Sequence, residues 1–140
     1  MNSVFRKSIP AAAVMFASVM LSSAENTVQT SLGAVSGIRR DGCTEYLGIP
    51  YAKPPVGELA FRHPVRPEPW EGVLEAHRGS CNAVQERNSF SVGNNSEDCL
   101  YLNIFVPEGL GGKAPVMVWL HGGSYATGGT GRRWEESDSL

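Results

Sequence analysis

The uninterrupted apolar run Pro115-Val116-Met117-Val118-Trp119-Leu120 leads directly into His121-Gly122-Gly123-Ser124. A short apolar run bounded by Pro and Gly is expected to form a fully buried strand. Such a strand needs neighbours in a sheet and a cover on each face. The two glycines behind it let backbone N–H groups turn outward and come close to a ligand with no Cβ in the way. A buried strand ending in a backbone-lined loop is therefore the strongest constraint on this chain, and only residues 125–140 follow it.

A chain of 140 residues is one domain at most. A hydrophobic content of 41% is enough for a core, whereas 16 Gly and 9 Pro mark a turn-rich chain. The net charge is −2 and no Lys/Arg cluster appears, so a nucleic-acid partner is not expected. At the N-terminus, Arg6 and Lys7 precede an uncharged stretch from Ser8 to Ala24 with an apolar centre from Ala11 to Leu21. It closes on Ser22-Ser23-Ala24, small residues suited to a cleavage site before Glu25. The apolar centre falls short of the roughly 20 residues that span a bilayer. The expectation is a signal peptide over residues 1–24 and an exported segment from Glu25 to Leu140, secreted or periplasmic, with no membrane anchor after cleavage.

Export permits disulfides, and the cysteines are Cys43, Cys81 and Cys99. An odd count leaves one thiol unpaired or free to pair with another chain. Cys81 and Cys99 would enclose the polar segment Asn82 to Asp98. A bridge closing a loop of that size adds roughly 3 kcal/mol in the chain-entropy model. The alternative is three reduced, structural cysteines. No pair has the close spacing of a zinc or redox site, and no metal or cofactor is expected.

Thr27 to Thr30 and Ala34 to Arg39 are short β-favouring segments separated by Ser31-Leu32-Gly33, the pattern of a hairpin. The prolines from Pro54 to Pro69 remove backbone donors and forbid regular helix, so this passage should run extended over the surface. Leu100 to Val106 and Val116 to Leu120 carry the strongest strand signals, joined by a turn over Pro107 to Ala114. Strands that arrive without helices to cover them point to the opening part of a larger sheet. Val116 to Leu120 would then be an exposed apolar edge, prone to aggregation, and the segment a poor independent folder.

Convergent amides at a strand end are what acyl transfer needs to hold the oxygen that becomes negative in its transition state. Ser124 itself is a poor nucleophile candidate. Gly122-Gly123-Ser124-Tyr125-Ala126 has Ala where a nucleophile elbow has Gly, and the glycine-rich stretch behind it will not start a helix. A catalytic serine also needs a histidine base, and none follows in residues 125–140. Gly109 to Lys113 lacks the spacing of a phosphate loop and is expected to be a surface turn. His63 and His77 lie among prolines and charges, whereas His121 is placed to orient the glycine loop rather than to act as a base.

Three segments together resemble the type-B carboxylesterase/lipase family, which includes the cholinesterases. They are Tyr46 to Gly57 (YLGIPYAKPPVG), Glu97 to Pro107 (EDCLYLNIFVP) and Pro115 to Ser124 (PVMVWLHGGS). The resemblance implies an α/β class chain, the N-terminal part of an α/β-hydrolase fold, mostly strands and loops with the sheet incomplete. It implies hydrolysis of a small-molecule carboxylic ester through a Ser-Glu/Asp-His triad that lies beyond this chain. Gly123 and Ser124 match the positions whose backbone N–H groups line the oxyanion hole, and Gly122 supports the turn. Trp119 and Tyr125 would stand among the acyl-pocket walls, and Cys81 and Cys99 match the family's first disulfide. Cys43 matches no bridge position.

The chain departs from the family pattern at Ser124, where Gly is common, and at Ala60, where the family usually has an Arg paired with the acid matched by Glu97. An uncompensated buried charge at Glu97 would cost roughly 3–5 kcal/mol unless Arg62 turned inward. The expected role is supply of oxyanion amides by a segment inactive on its own. The alternative is a non-catalytic, cholinesterase-like binding or adhesion module, since fold does not fix function.

Overall fold

The computed structural model describes residues 26–86 and 93–130; the leader expected over residues 1–24 lies outside them. Among these residues, six strands form two three-stranded sheets. The first sheet contains β1 (Thr27–Gln29), β2 (Ala34–Ser36) and β5 (Val73–Glu75). The second contains β3 (Ile38–Arg40), β4 (Cys43–Pro50) and β6 (Tyr101–Pro107).

The β1–β2 hairpin closes where the sequence predicts it. Thr30 Oγ1 donates to Gly33 O at 2.7 Å and accepts from Leu32 N–H at 3.1 Å, holding the connection by side chain rather than by backbone alone. The segment expected to continue to Arg39 is broken at Gly37, whose N–H still bonds back to Asn26 O at 2.9 Å beside β1 while the chain beyond it leaves for the other sheet. Ile38–Arg40 therefore joins the other sheet and pairs with β4 across Asp41-Gly42. Both turn residues have positive φ (50° and 75°), the twist that suits a two-residue hairpin.

β4 is the longest strand and pairs antiparallel with β6 in a register interrupted between Tyr46 and Ile49. This bulge frees Leu47 N–H, which donates to Ala76 O at 2.8 Å just beyond β5. The two sheets are joined at that point. Gly48 makes the bulge possible: its φ is +72°, and a Cβ there would sit 2.7 Å from Arg78 O. A small core gathers beside it, with Val35, Tyr46 and Ala76 buried and Ile49, Trp70 and Leu74 packed against them. Trp70 is fixed by its ring N–H, which donates to Ala34 O at 2.8 Å.

The proline passage runs extended and largely exposed as expected, interrupted by a single 3-10 turn at Gly57–Leu59. Two expectations are corrected. Val116 to Leu120 is not a strand, and Val116, Met117 and Leu120 are each more than four-fifths exposed. A fully buried strand draws hydrogen bonds from neighbours on both edges, and none of the described strands supplies either edge. Glu97 is exposed, so the costly buried charge expected opposite Ala60 does not arise, and Arg62 stays exposed too. On β6, Leu102, Ile104 and Phe105 are all at least a third exposed, leaving apolar side chains uncovered on both faces of that strand.

β6 begins beside a polar cluster. Burial first, and then the hydrogen bond and charge of Asp98, push the Tyr101 phenol up from 10.0 to about 12.

Two measurements check this description. Gly48→Ala should speed hydrogen exchange of the Leu47 amide about tenfold or more, because a side chain strains the left-handed residue that frees that N–H. Phenolate absorbance should show Tyr101 ionising near pH 12 and shifting toward 10 in Asp98→Ala. Because its folded pKa is raised, Tyr101 contributes stability in full below about pH 10 and loses it as pH rises to about 12.

Candidate functional site

The glycine loop folds back on itself. Gly123 O accepts from Ala126 N–H at 3.0 Å and from Thr127 N–H at 3.1 Å. The two residues inside this turn, Ser124 and Tyr125, are left-handed, with φ of 53° and 59°. Such a conformation is costly for residues with a Cβ and tends to be kept where a site requires it. Gly123 could not be replaced freely: its φ is +126°, and a Cβ would run into Thr127 O.

His121 Nδ1 lies 2.8 Å from Gly122 O. A carbonyl can only accept, so the ring carries its proton on Nδ1 and holds the loop by donating it. Among the described residues, no hydrogen bond engages the N–H groups of Gly123 or Ser124. They remain available to an incoming acceptor. The loop is open to solvent in the described chain, and Tyr125 is fully exposed, as Trp119 is by half. The pocket walls expected of these two aromatics are therefore not formed; no described element stands across from them to enclose a cavity.

Cys43, Cys81 and Cys99 are free thiols in the structure, all half-buried, and the expected Cys81–Cys99 bridge is not formed in it. The two are nevertheless neighbours: burial, the charges of Glu97 and Asp98, and Cys81 itself all push the Cys99 thiol up. Cys43 stands apart at the start of β4, its thiol also raised, by burial and then by Glu45. A raised thiol is a weaker nucleophile at neutral pH. Between Cys81 and Cys99 the chain is cross-braced, with Asn82 N–H donating to Asn94 O and Ser96 N–H to Asn82 O.

Side-chain amides link this braced segment to the glycine loop. Gln85 bonds to both backbone groups of Gly128, and Asn103 on β6 donates to Thr130 O. The sequence reading missed both residues. Asn103 had a legible signal, a polar residue inside the apolar run Leu102 to Val106, which demands a partner. Gln85 sits in a polar stretch where nothing distinguishes it.

One other contact has the look of catalysis. Ser36 Oγ lies 3.1 Å from His77 Nε2, as a nucleophile and its base would. Ser36 is only 4% exposed, so no substrate reaches its hydroxyl, and the bond serves to tie β2 to the exit of β5. Among the described residues there is no cluster of metal-ligating side chains, and no helix is long and apolar enough to cross a membrane.

Comparison with known proteins identifies the family of the chain. The profile of the carboxylesterase family matches residues 24–138. The para-nitrobenzyl esterase of Bacillus subtilis (strain 168) is 42% identical over 106 residues, covering 72% of this chain and 22% of the relative. The acetylcholinesterase of Leptinotarsa decemlineata is 36% identical over 128 residues, covering 72% and 20%. A solved para-nitrobenzyl esterase structure superposes with a TM-score of 0.68 at 44% identity, over 74% of this chain and 21% of that one. The chain thus spans about a fifth of the length of these relatives. With strands in the fold of the α/β-hydrolase esterases and a family match over most of its length, the chain belongs to the carboxylesterase family.

Proposed function

We propose that this chain supplies the oxyanion donors of an exported carboxylic ester hydrolase. When a nucleophile attacks an ester carbonyl, the oxygen gains negative charge, and preorganised N–H groups lower the barrier by stabilising it. Gly123 and Ser124 would donate those bonds, with Gly122 supporting the turn and the His121 ring steadying it. The observation that carries this reading is the uncommitted pair of N–H groups on a strained turn, in a chain of the carboxylesterase family. The serine, the acid and the histidine of the triad come from outside this chain, so the segment alone is inactive. The substrate is a small carboxylic ester, and no cofactor takes part.

The test replaces the matching N-terminal fifth of the Bacillus subtilis para-nitrobenzyl esterase by Glu25 to Leu140 of this chain. The 140-residue chain alone should hydrolyse p-nitrophenyl acetate at the buffer rate, and the chimera should turn it over. Gly123→Ala in the chimera should lower kcat about 100-fold with little change in KM, the signature of a lost transition-state interaction. Ser124→Ala keeps the amide and should stay within about threefold of the parent chimera. A folded chimera without turnover would reject the reading and favour the non-catalytic binding module.

In the exported protein, Cys81 and Cys99 form the disulfide and Cys43 stays free. Their proximity supports this, as does the braced segment between them. The intact mass of the secreted chain should correspond to Glu25 onward less two hydrogens. Alkylation before reduction should label Cys43 alone. Labelling of all three cysteines would reject the bridge.

A further inference from the structure

Resting on that reading of the loop, we propose that Gln85 is the positioning residue of the oxyanion turn, with Asn103 as its second anchor. The Gln85 side chain donates from Nε2 to Gly128 O at 2.7 Å and accepts at Oε1 from Gly128 N–H at 2.9 Å. A carboxamide that engages both backbone groups of one residue fixes orientation as well as distance.

Gly128 is the right residue to hold. It lies so close beneath the turn that a Cβ there would collide with Gly122 O and the His121 ring. Whatever fixes Gly128 therefore fixes the carbonyl preceding Gly123. Gln85 is itself held in place: its backbone O accepts from Asn95 Nδ2 at 2.9 Å, and its Nε2 also reaches Ala83 O at 3.1 Å.

Two residues past Gly128, Thr130 is held by a second carboxamide, that of Asn103. Its Nδ2 donates to Thr130 O at 2.8 Å, while its Oδ1 accepts from Gly48 N–H at 2.9 Å. The far end of the loop is thereby tied to the β4 bulge. Between the two anchors, Gly129 packs directly on the Asn82 side chain. A turn with two left-handed side-chain-bearing residues, exposed to solvent, persists only when its surroundings over-determine it. These carboxamides are the surroundings that do so.

The test reads the loop, not hydrolysis, so its failure is separate from failure of the esterase reading. The full 140-residue chain is labelled with 15N, and amide exchange is compared with that of Gln85→Ala. The Gly128 amide should exchange about tenfold faster in the variant, while the β4–β6 ladder is unchanged. Gln85→Glu supplies the discriminating arm. Its carboxylate keeps an acceptor for Gly128 N–H but regains a donor for Gly128 O only on protonation. The Gly128 and Ser124 amide resonances of this variant should move back toward the parent positions as pH falls through the ordinary Glu value of about 4.3. Gln85→Ala should show no such return. Asn103→Asp, which keeps the acceptor for Gly48 and loses the donor to Thr130, should free the Thr130 end alone. Unchanged Gly128 exchange in Gln85→Ala would overturn the proposal, as would absence of the return in Gln85→Glu. Loss of ladder protection in both Gln85 variants would overturn it too, by making Gln85 a support of the whole sheet.

Discussion

The structure depends on one irregularity, the bulge at Leu47 and Gly48. A regular β4 would have spent all its backbone groups on β3 and β6. By stepping out of register, the strand frees Leu47 N–H for Ala76 O, which joins the two sheets, and Gly48 N–H for Asn103, which ties the sheet to the glycine loop. Backbone polar groups left buried are costly, so each freed group had to find a partner. The partners it found are the ones that set the geometry of the rest.

The loop of the candidate site is bonded by two side-chain amides, one of which is also bonded to that hub. Asn103 leads to Thr130, and the braced segment behind Cys81 leads through Gln85 to Gly128. The turn at Gly123 is thus positioned from two sides by elements distant in sequence. Neither connection passes through the hydrophobic core, which is small and lies around Val35, Tyr46 and Ala76. Burial builds the sheets, and hydrogen bonding aims the loop.

Local signals were legible and distant ones were not. The β1–β2 hairpin and β6 could be read from β-favouring runs flanked by turn residues, and the extended proline passage from missing donors. The Asp41-Gly42 hairpin carries its own local turn signal, the Asp-Gly pair. β5 offered no signal at all: Val73–Glu75 is a strand only because Trp70 brings it alongside β2, a parallel pairing across more than thirty residues. Val116 to Leu120 failed in the opposite direction. Its apolar pattern is that of a central strand, but pattern gives no strand without a neighbour to bond. The glycine loop was identifiable from its residues and the family resemblance, whereas Gln85 was invisible because its role comes from where a loop folds, not from its neighbours in sequence.

The anchors of the loop have a property that charged anchors would lack. Carboxamides neither gain nor lose protons in water, and counter-ions do not screen their bonds as they screen exposed ion pairs. Two ion pairs among the described residues, Arg39 with Glu108 and Lys53 with Glu68, lie on exposed strand and proline-passage surface. A donor turn held by Gln85 and Asn103 keeps its shape in brine and in dilute buffer alike. For the exported enzyme proposed above, whose acidity and salt would be set by its surroundings, that indifference would keep the geometry of the turn independent of the medium.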